Sequence, residues 1–305
     1  MHLAGRLFRF RTPGQTFSRA CRDLSFETPQ GLWNQIEARP APDLADAIEC
    51  YWEGWGDIPP LKEKILPRTN IELMFNLQGR HSVLELDGKP LGSNHTGGWL
   101  SGLQRRHMLI ETHEGSHFVA VRLRPWGAWR LLRQPMKDVS CRVPLLDDIW
   151  GDSIHELTAR LHELPNPFAR FDLLEDHFRR RLDSRARPDP GVIHAVERLH
   201  HSIGMQRIES LCRELGTSRA TLSRRFNEQV GLTPKTYSRV VRISSLMARL
   251  GNRQPEDWAM LAAEFGYHDQ AHLNHDFRDF CGTTPGEYLK RAAPGGGATI
   301  ENPPT

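Results

Sequence analysis

No apolar run in this chain approaches the roughly 18–20 residues of a membrane-spanning helix. The opening stretch, Met1-His-Leu-Ala-Gly-Arg-Leu-Phe-Arg-Phe-Arg11, is too broken by arginine for a secretory signal, so the cytoplasm is the expected compartment and no membrane partner is expected. Cysteine is sparse. Cys21, Cys50, Cys141, Cys212 and Cys281 are odd in number, far apart and without a C-x-x-C pair, which excludes a disulfide framework and suits reduced thiols. Excess charge of one sign is also missing: the net charge is +3, and 38% hydrophobic with 25% charged residues is the composition of a globular protein. Neither a P-loop, a Ser-His-Asp arrangement nor a paired-carboxylate signal stands out, and no cofactor or metal is expected.

What is present divides in two, since 305 residues are enough for two ordinary domains, each expected to have its own core. Residues 1–30 mix arginine, glycine and proline without a period and read as a flexible arm. From Leu44 to Arg124, short apolar runs alternate with turn signals: Ile71–Leu77, Gln78-Gly-Arg80, Ser82–Leu86, Asp87-Gly88, Gly97–Gly102, Arg106–Thr112 and His117–Leu123. Asp-Gly and Gln-Gly supply the positive-φ residues of tight turns, so this segment is expected to form a small barrel or sandwich. After Pro125 the period becomes helical. Phe171, Leu174, Phe178 and Leu182 make one stripe, and the two prolines of Arg185-Ala-Arg-Pro-Asp-Pro190 mark the linker.

The strongest feature is a repeat. Leu211-Cys-Arg-Glu-Leu-Gly216…Leu222…Phe226…Gly231-Leu-Thr-Pro234…Tyr237 returns as Leu261-Ala-Ala-Glu-Phe-Gly266…Leu273…Phe277…Gly282-Thr-Thr-Pro285…Tyr288. The offset is 50 at the first glycine (216 to 266) and 51 from the leucine onward (222 to 273), which predicts one extra residue in the second copy's turn. Each copy reads helix, tight turn, helix, the layout of a DNA reader. In the first copy Leu222 and Phe226 point inward, leaving Arg219, Ala220, Ser223, Arg224 and Arg225 for double-stranded DNA. Arg224 is expected to read guanine, with Arg219 and Arg225 on phosphates. The second copy presents Gln270, Ala271, Asn274 and His275, of which Gln and Asn suit adenine. A connecting helix from Pro234 to Leu250, about 17 residues, spans roughly 25 Å, short of the roughly 34 Å between successive major-groove faces. Both copies can dock on one side of a duplex if it bends or if one copy sits shallow. Residues 207–253 carry ten Lys/Arg against three acids, whereas 254–291 carry three against seven, so the first copy is expected to hold the DNA.

The paired motif, above all Ala262-Ala-Glu-Phe-Gly-Tyr-His-Asp-Gln-Ala-His-Leu-Asn-His-Asp-Phe-Arg-Asp-Phe-Cys-Gly-Thr-Thr-Pro-Gly-Glu-Tyr288, resembles the AraC/XylS family of bacterial transcription regulators over about 100 residues. Two departures stand out: position 275 is histidine where that family often has arginine, and Ala220 and Ala271 are small. Tyr51-Trp52, Ile65–Asn76 and Val121–Ala128 more loosely resemble a sensor-type front domain of that family. The resemblance implies an α+β chain: a flexible arm (1–30), a β-rich, cupin-like sensor or dimerisation domain with trailing helices (31–187), an all-α tandem helix-turn-helix domain (191–292) and a disordered tail (293–305). It also implies a sequence-specific regulator binding promoter or operator DNA, controlled by a small-molecule effector or by self-association, with RNA polymerase as a further partner, acting as monomer or homodimer.

Two rivals are weighed against this. A metal-dependent cupin-like enzyme fused to a DNA-binding module would need ligands among His95, His107, His113 and His117, with Glu114, but their spacing lacks a tight His-x-His cluster with a carboxylate. DNA alkylation repair would need a cysteine cluster in the front half, where Cys21 and Cys50 are isolated. Seven of eight tryptophans lie in the front half, suited to core or dimer packing or to stacking a planar ligand.

Overall fold

A computed structural model describes residues 5–11, 18–28, 31–57, 59–84, 97–113, 115–182, 185–250, 255, 257–292 and 298–300. Among the described residues the front half contains ten strands: β1 Gly5–Phe10, β2 Arg19–Thr28, β3 Gly31–Ala38, β4 Ile48–Gly56, β5 Leu61–Ile65, β6 Ile71–Gln78, β7 His81–Leu84, β8 Gly98–Ser101, β9 Met108–Thr112 and β10 Ser116–Leu123. Among the described residues four α-helices follow: α1 Gly127–Leu132, α2 Leu146–Trp150, α3 Ser153–Glu163 and α4 Pro167–Arg181. The reader comprises α5 Pro190–His201, α6 Ile208–Glu214, α7 Arg219–Gln229, α8 Pro234–Leu250, α9 Trp258–Glu264, α10 Gln270–Cys281 and α11 Pro285–Arg291, after which β11 Ala298–Ile300 returns to the front half. Among the described residues no helix is long and apolar enough to cross a membrane.

Two antiparallel sheets form, ordered β1-β2-β3-β4-β10-β6-β8 and β11-β5-β9-β7. The central strands β4, β6 and β10 are buried on both faces, which is why their sequences read as apolar runs rather than alternation. On one face Tyr51 stacks on Phe171 of α4 at 5.8 Å. On the other, Cys50, Trp52, Met74, Trp99 and Ala120 cluster, and His81 of β7 lies 4.4 Å from Phe118 and 5.7 Å from Trp99, joining the two sheets. The Gln-Gly turn is present, with Gly79 at φ +90°. The Asp87-Gly88 turn lies outside the described residues.

Three expectations require correction. Instead of a flexible arm, residues 5–10 and 19–28 form β1 and β2 of the larger sheet. One arginine hid the pattern, because the charge of Arg19, which looks solvent-bound, is neutralised by residues about 150 positions downstream. Arg19 is 1% exposed and donates to Glu175 and Asp172 of α4, each at 2.6 Å. Within the expected disordered tail, 298–300 pairs antiparallel with β5, Ala298 opposite Ile65. Backbone pairing needs no side-chain pattern, so three residues among glycines and prolines leave no trace in composition. Third, the two halves do not keep separate cores: one contiguous apolar cluster runs from Cys21 to Tyr288. A one-turn helix at Met136–Asp138 packs on the end of α7, where a Cβ on Gly231 would lie 2.8 Å from the Met136 carbonyl oxygen.

Arg19 gives a test of this architecture. Glu175 is 2% exposed and also receives Arg179 at 3.1 Å, so Arg19→Met removes one of the two cations on a buried carboxylate and the partner of Asp172. Urea denaturation should show a loss of about 3 kcal/mol; a loss within experimental error would show that β2 is not docked on α4.

Candidate nucleic-acid interface

Each reader unit is built by the same local chemistry. α6 ends at Leu215, and Gly216 takes φ +61°, letting Thr217 N donate back to Cys212 O at 3.0 Å. Ser218 then caps α7, its Oγ accepting from Thr221 N at 3.1 Å. In the second unit Gly266 takes φ +69°, Tyr267 N donates to Ala262 O at 2.9 Å, and Asp269 caps α10 by accepting from His272 N at 2.7 Å. The cap follows the glycine by two residues in the first unit and by three in the second, so the extra residue sits in the turn as the repeat offset requires. That cap bond, with the neighbouring His268, holds the Asp269 carboxyl below its ordinary range.

The apolar stripes bury as the spacing indicates. Leu222 and Phe226 of α7, and Leu273 and Phe277 of α10, are at most 2% exposed. Phe226 meets Tyr237 edge-on at 5.4 Å and Phe277 meets Tyr288 at 5.6 Å, the same contact in both copies. The connecting helix α8 spans 17 residues and buries Tyr237, Val240, Val241, Ile243, Leu246, Met247 and Leu250. Its C-terminal counterpart α11 opens with a capping box, and hydrogen bonds from Thr284, backbone and hydroxyl, with one from Thr283, pull the Glu287 carboxyl down to about 2.

Burial of these stripes leaves the opposite faces outward. Arg219, Ala220, Arg224 and Arg225 are exposed and Ser223 is half-buried; Gln270, Ala271 and His275 are exposed and Asn274 is half-buried. Arg224 has no side-chain partner among the described residues. Arg219 lies 3.3 Å from Glu209, an exposed pair of little strength. Arg225 differs from expectation: it donates to Asp189 at 2.8 Å, the residue that caps α5, and so braces α7 against α5.

The arginines of α8 also have a different use from the one their charge suggests. Arg239 donates to Asp276 from Nε at 2.9 Å and to Asp279 at 3.0 Å, and its guanidinium lies 4.6 Å from the Phe280 ring centre. Arg242 donates to Gly204 O at 2.8 Å and covers the Tyr267 ring at 5.3 Å. Tyr267 in turn donates to Asp276 at 3.1 Å, and burial together with that carboxylate pushes its hydroxyl well above the ordinary tyrosine range. The charge contrast between the copies is therefore overstated by sequence: a cation counted in the first unit is shared by two acids counted in the second. Between the units lies a cleft of 640 Å³, bordered by Arg207, Arg219, Lys235, His272 and His275. Arg207, Lys235 and His272 escaped the sequence reading because they lie outside the motif faces; the Thr-Pro-Lys start of α8 was the available signal for Lys235.

The front half reaches this reader directly. His107 N donates to Phe280 O at 2.8 Å, and Ser244 Oγ donates to Pro67 O at 3.2 Å. His113 Nε2 lies 3.3 Å from Ser82 Oγ, and His117 Nε2 lies 2.8 Å from Glu53. The histidines of the metal reading thus have separate partners, and His95 and Glu114 lie outside the described residues.

Comparison with known proteins places this geometry. A helix-turn-helix domain family matches residues 211–291, and a domain of unknown function, DUF6597, matches residues 36–143. No curated protein matches the chain. Among solved structures it is similar to ToxT from Vibrio cholerae, 13% identical over 79% of this chain and 98% of that one, with a TM-score of 0.46. It is also similar to the C-terminal domain of AraT, a response regulator from Geobacillus stearothermophilus, 21% identical over 34% of this chain and 88% of that one, with a TM-score of 0.32. The domain match runs through α7, α8 and α10, the elements whose caps, turns and outward faces are described above. The chain is a DNA-binding transcription regulator with an AraC-type helix-turn-helix domain.

Proposed function

We propose that this regulator reads its operator chiefly through α7, with Arg224 as the principal base contact and Ala220 and Ser223 beside it. The observation that carries this is the unpartnered, exposed guanidinium on the outward face of a capped helix. A guanidinium matches the O6 and N7 acceptors of guanine in the major groove. Arg219, with Arg207 and Lys235 along the cleft, supplies phosphate contacts that position without specifying, while Arg225 keeps α7 in place. Gln270, Ala271, Asn274 and His275 on α10 form a weaker second reader. At 17 residues α8 spans about 25 Å, so engaging both helices requires a bent duplex or a shallow second unit.

The front half is read as the controlling part rather than as a catalyst. Its contact with α10 through His107 and Phe280 gives an effector or a second copy a route to the reader, as coupling between sites demands differential contact in two states. This reading places the protein in the cytoplasm on promoter DNA, with RNA polymerase as a further partner, as monomer or homodimer. Metal content of the purified protein discriminates the enzyme alternative.

Selection from a random DNA pool should return an operator. On it, Arg224→Ala is expected to cost about 1–3 kcal/mol and to relax preference at one position; unchanged affinity would place the register of α7 elsewhere. Gln270→Ala and Asn274→Ala should each cost less than Arg224→Ala in the same titration, and an equal or larger loss overturns the dominance of the first unit. Arg239→Ala releases α10 from α8 and should shorten the protected footprint to the α7 half; a full-length footprint would mean that the ion pair does not set the spacing of the units.

A further inference from the structure

Two loops of the front half close on each other beside the reader. The first, residues 102–107, joins β8 to β9; the second, residues 140–143, follows the one-turn helix Met136–Asp138. Cys141 N donates to Leu103 O at 2.8 Å, and the Gln104 amide, 8% exposed, donates to Arg142 O at 3.0 Å and to Gly102 O at 3.3 Å. Gly102 runs so near the second loop that a Cβ there would sit 2.8 Å from Val139 O. With the two backbones locked together, the side chains of Arg105, Arg106 and Arg142 are left exposed around a cleft of 630 Å³. The opposite wall of that cleft belongs to the reader: Thr236 and Arg239 of α8, with Asp279 and Phe280 of α10.

These arginines lack acids of their own. Among the described residues Asp279 is the one carboxylate lining the cleft; Arg239 already holds it at 3.0 Å, and Arg106, with a side chain 68% exposed, approaches it only at 3.9 Å. Arg105 donates to Cys141 Sγ at 3.4 Å, and Arg142 has no side-chain partner among the described residues. Gathered like charges repel one another and draw an outside anion to the surface that carries them.

We propose that Arg105, Arg106 and Arg142 hold backbone phosphates of the same duplex that the reader binds. The cleft adjoins the one between the two reader units: Arg239 lines both, and Thr236 is next in sequence to Lys235, which borders the other. The basic row of Arg219 and Lys235 thus continues onto the front half. Exposed guanidiniums hold an isolated small anion weakly, but a duplex carries about one charge per 1.7 Å and releases condensed counter-ions when several phosphates are met together. The length of α8 gives such contacts a use. At about 25 Å it falls short of the roughly 34 Å between major-groove faces, and a duplex bent to meet both recognition helices needs extra contacts to offset the bending. His107 N, donating to Phe280 O at 2.8 Å, fixes the first loop against α10, so the arginines stand in place before DNA arrives. They require that α7 and α10 engage one duplex, the reading on which this assignment rests.

Anisotropy titration of the full chain on the operator returned by random-pool selection, and on an unrelated duplex, over roughly 50–200 mM salt is the test. The triple variant Arg105→Gln, Arg106→Gln, Arg142→Gln is expected to flatten the dependence of log affinity on log salt by about 1 for each arginine and to weaken both duplexes by the same factor. Arg142→Gln alone, at a side chain with no partner to lose, should flatten it by about 1. Arg22→Gln, Arg160→Gln and Arg180→Gln combined, at exposed front-half arginines that line neither cleft, give the effect of net charge at a distance. A slope that is unchanged, or flattened no more than by the distant set, or a loss confined to the operator, overturns the proposal. A selection that returns no operator counts against the regulator reading instead, and the slope on the unrelated duplex then decides the phosphate contacts by itself.

Discussion

The helix-turn-helix domain depends on one half-buried contact, the ion pair between Arg239 of the connecting helix and Asp276 of α10. Asp276 is 5% exposed and also accepts from Tyr267, so its charge is met from two directions. A helix that keeps its opposite face outward in a set orientation needs its inner face fixed in rotation as well as in distance. Apolar packing of Leu273 and Phe277 supplies the distance, and a guanidinium bridging Asp276 and Asp279 supplies the rotation, because its donors fit only one arrangement of the two carboxylates. The same arginine lies over Phe280, whose carbonyl receives His107 N from the front half. Connecting helix, second recognition helix and front half thus meet within a few residues.

The front half applies the same device to the docking of α4. Arg170 reaches Glu53 on β4, while Asp172 and Glu175 receive Arg19 from β2. Arg19, Glu175, Arg170 and Glu53 are buried and Asp172 is half-buried, and each pair ties a helix residue to a strand more than 100 positions away. Such pairs add little net stability over apolar packing but are costly to break singly, so they fix register more than they add strength. Glu53 stands apart within this set, because one of its oxygens remains unmet beside an open cleft.

The repeat was legible because it is local. Gly216 and Gly266 at positive φ, the caps Ser218 and Asp269, and the buried Leu–Phe pairs at i and i+4 follow from short-range geometry that one sequence window contains. The apolar runs of β6 and β10 were legible for the same reason. β1 and β2 were not, because Arg19 looks like a solvated charge until α4 folds over it. β11 was not, because three residues pairing through backbone leave no pattern. The use of Arg225 and Arg239 inside the protein was hidden as well: a charge count treats every arginine as outward, and only the position of Asp189, Asp276 and Asp279 decides which ones are available to phosphate.

Sequence alone therefore determined that the chain ends in two helix-turn-helix units, where their helices start and stop, and which faces remain outward, since caps, turns and helical periodicity act within a few residues. Tertiary structure decided which outward-looking charges are free, how the second unit is held against the first, and that the front half shares one continuous core with the reader. Those outcomes depend on partners far apart in the chain, and the energy of a charge is set by what surrounds it after folding.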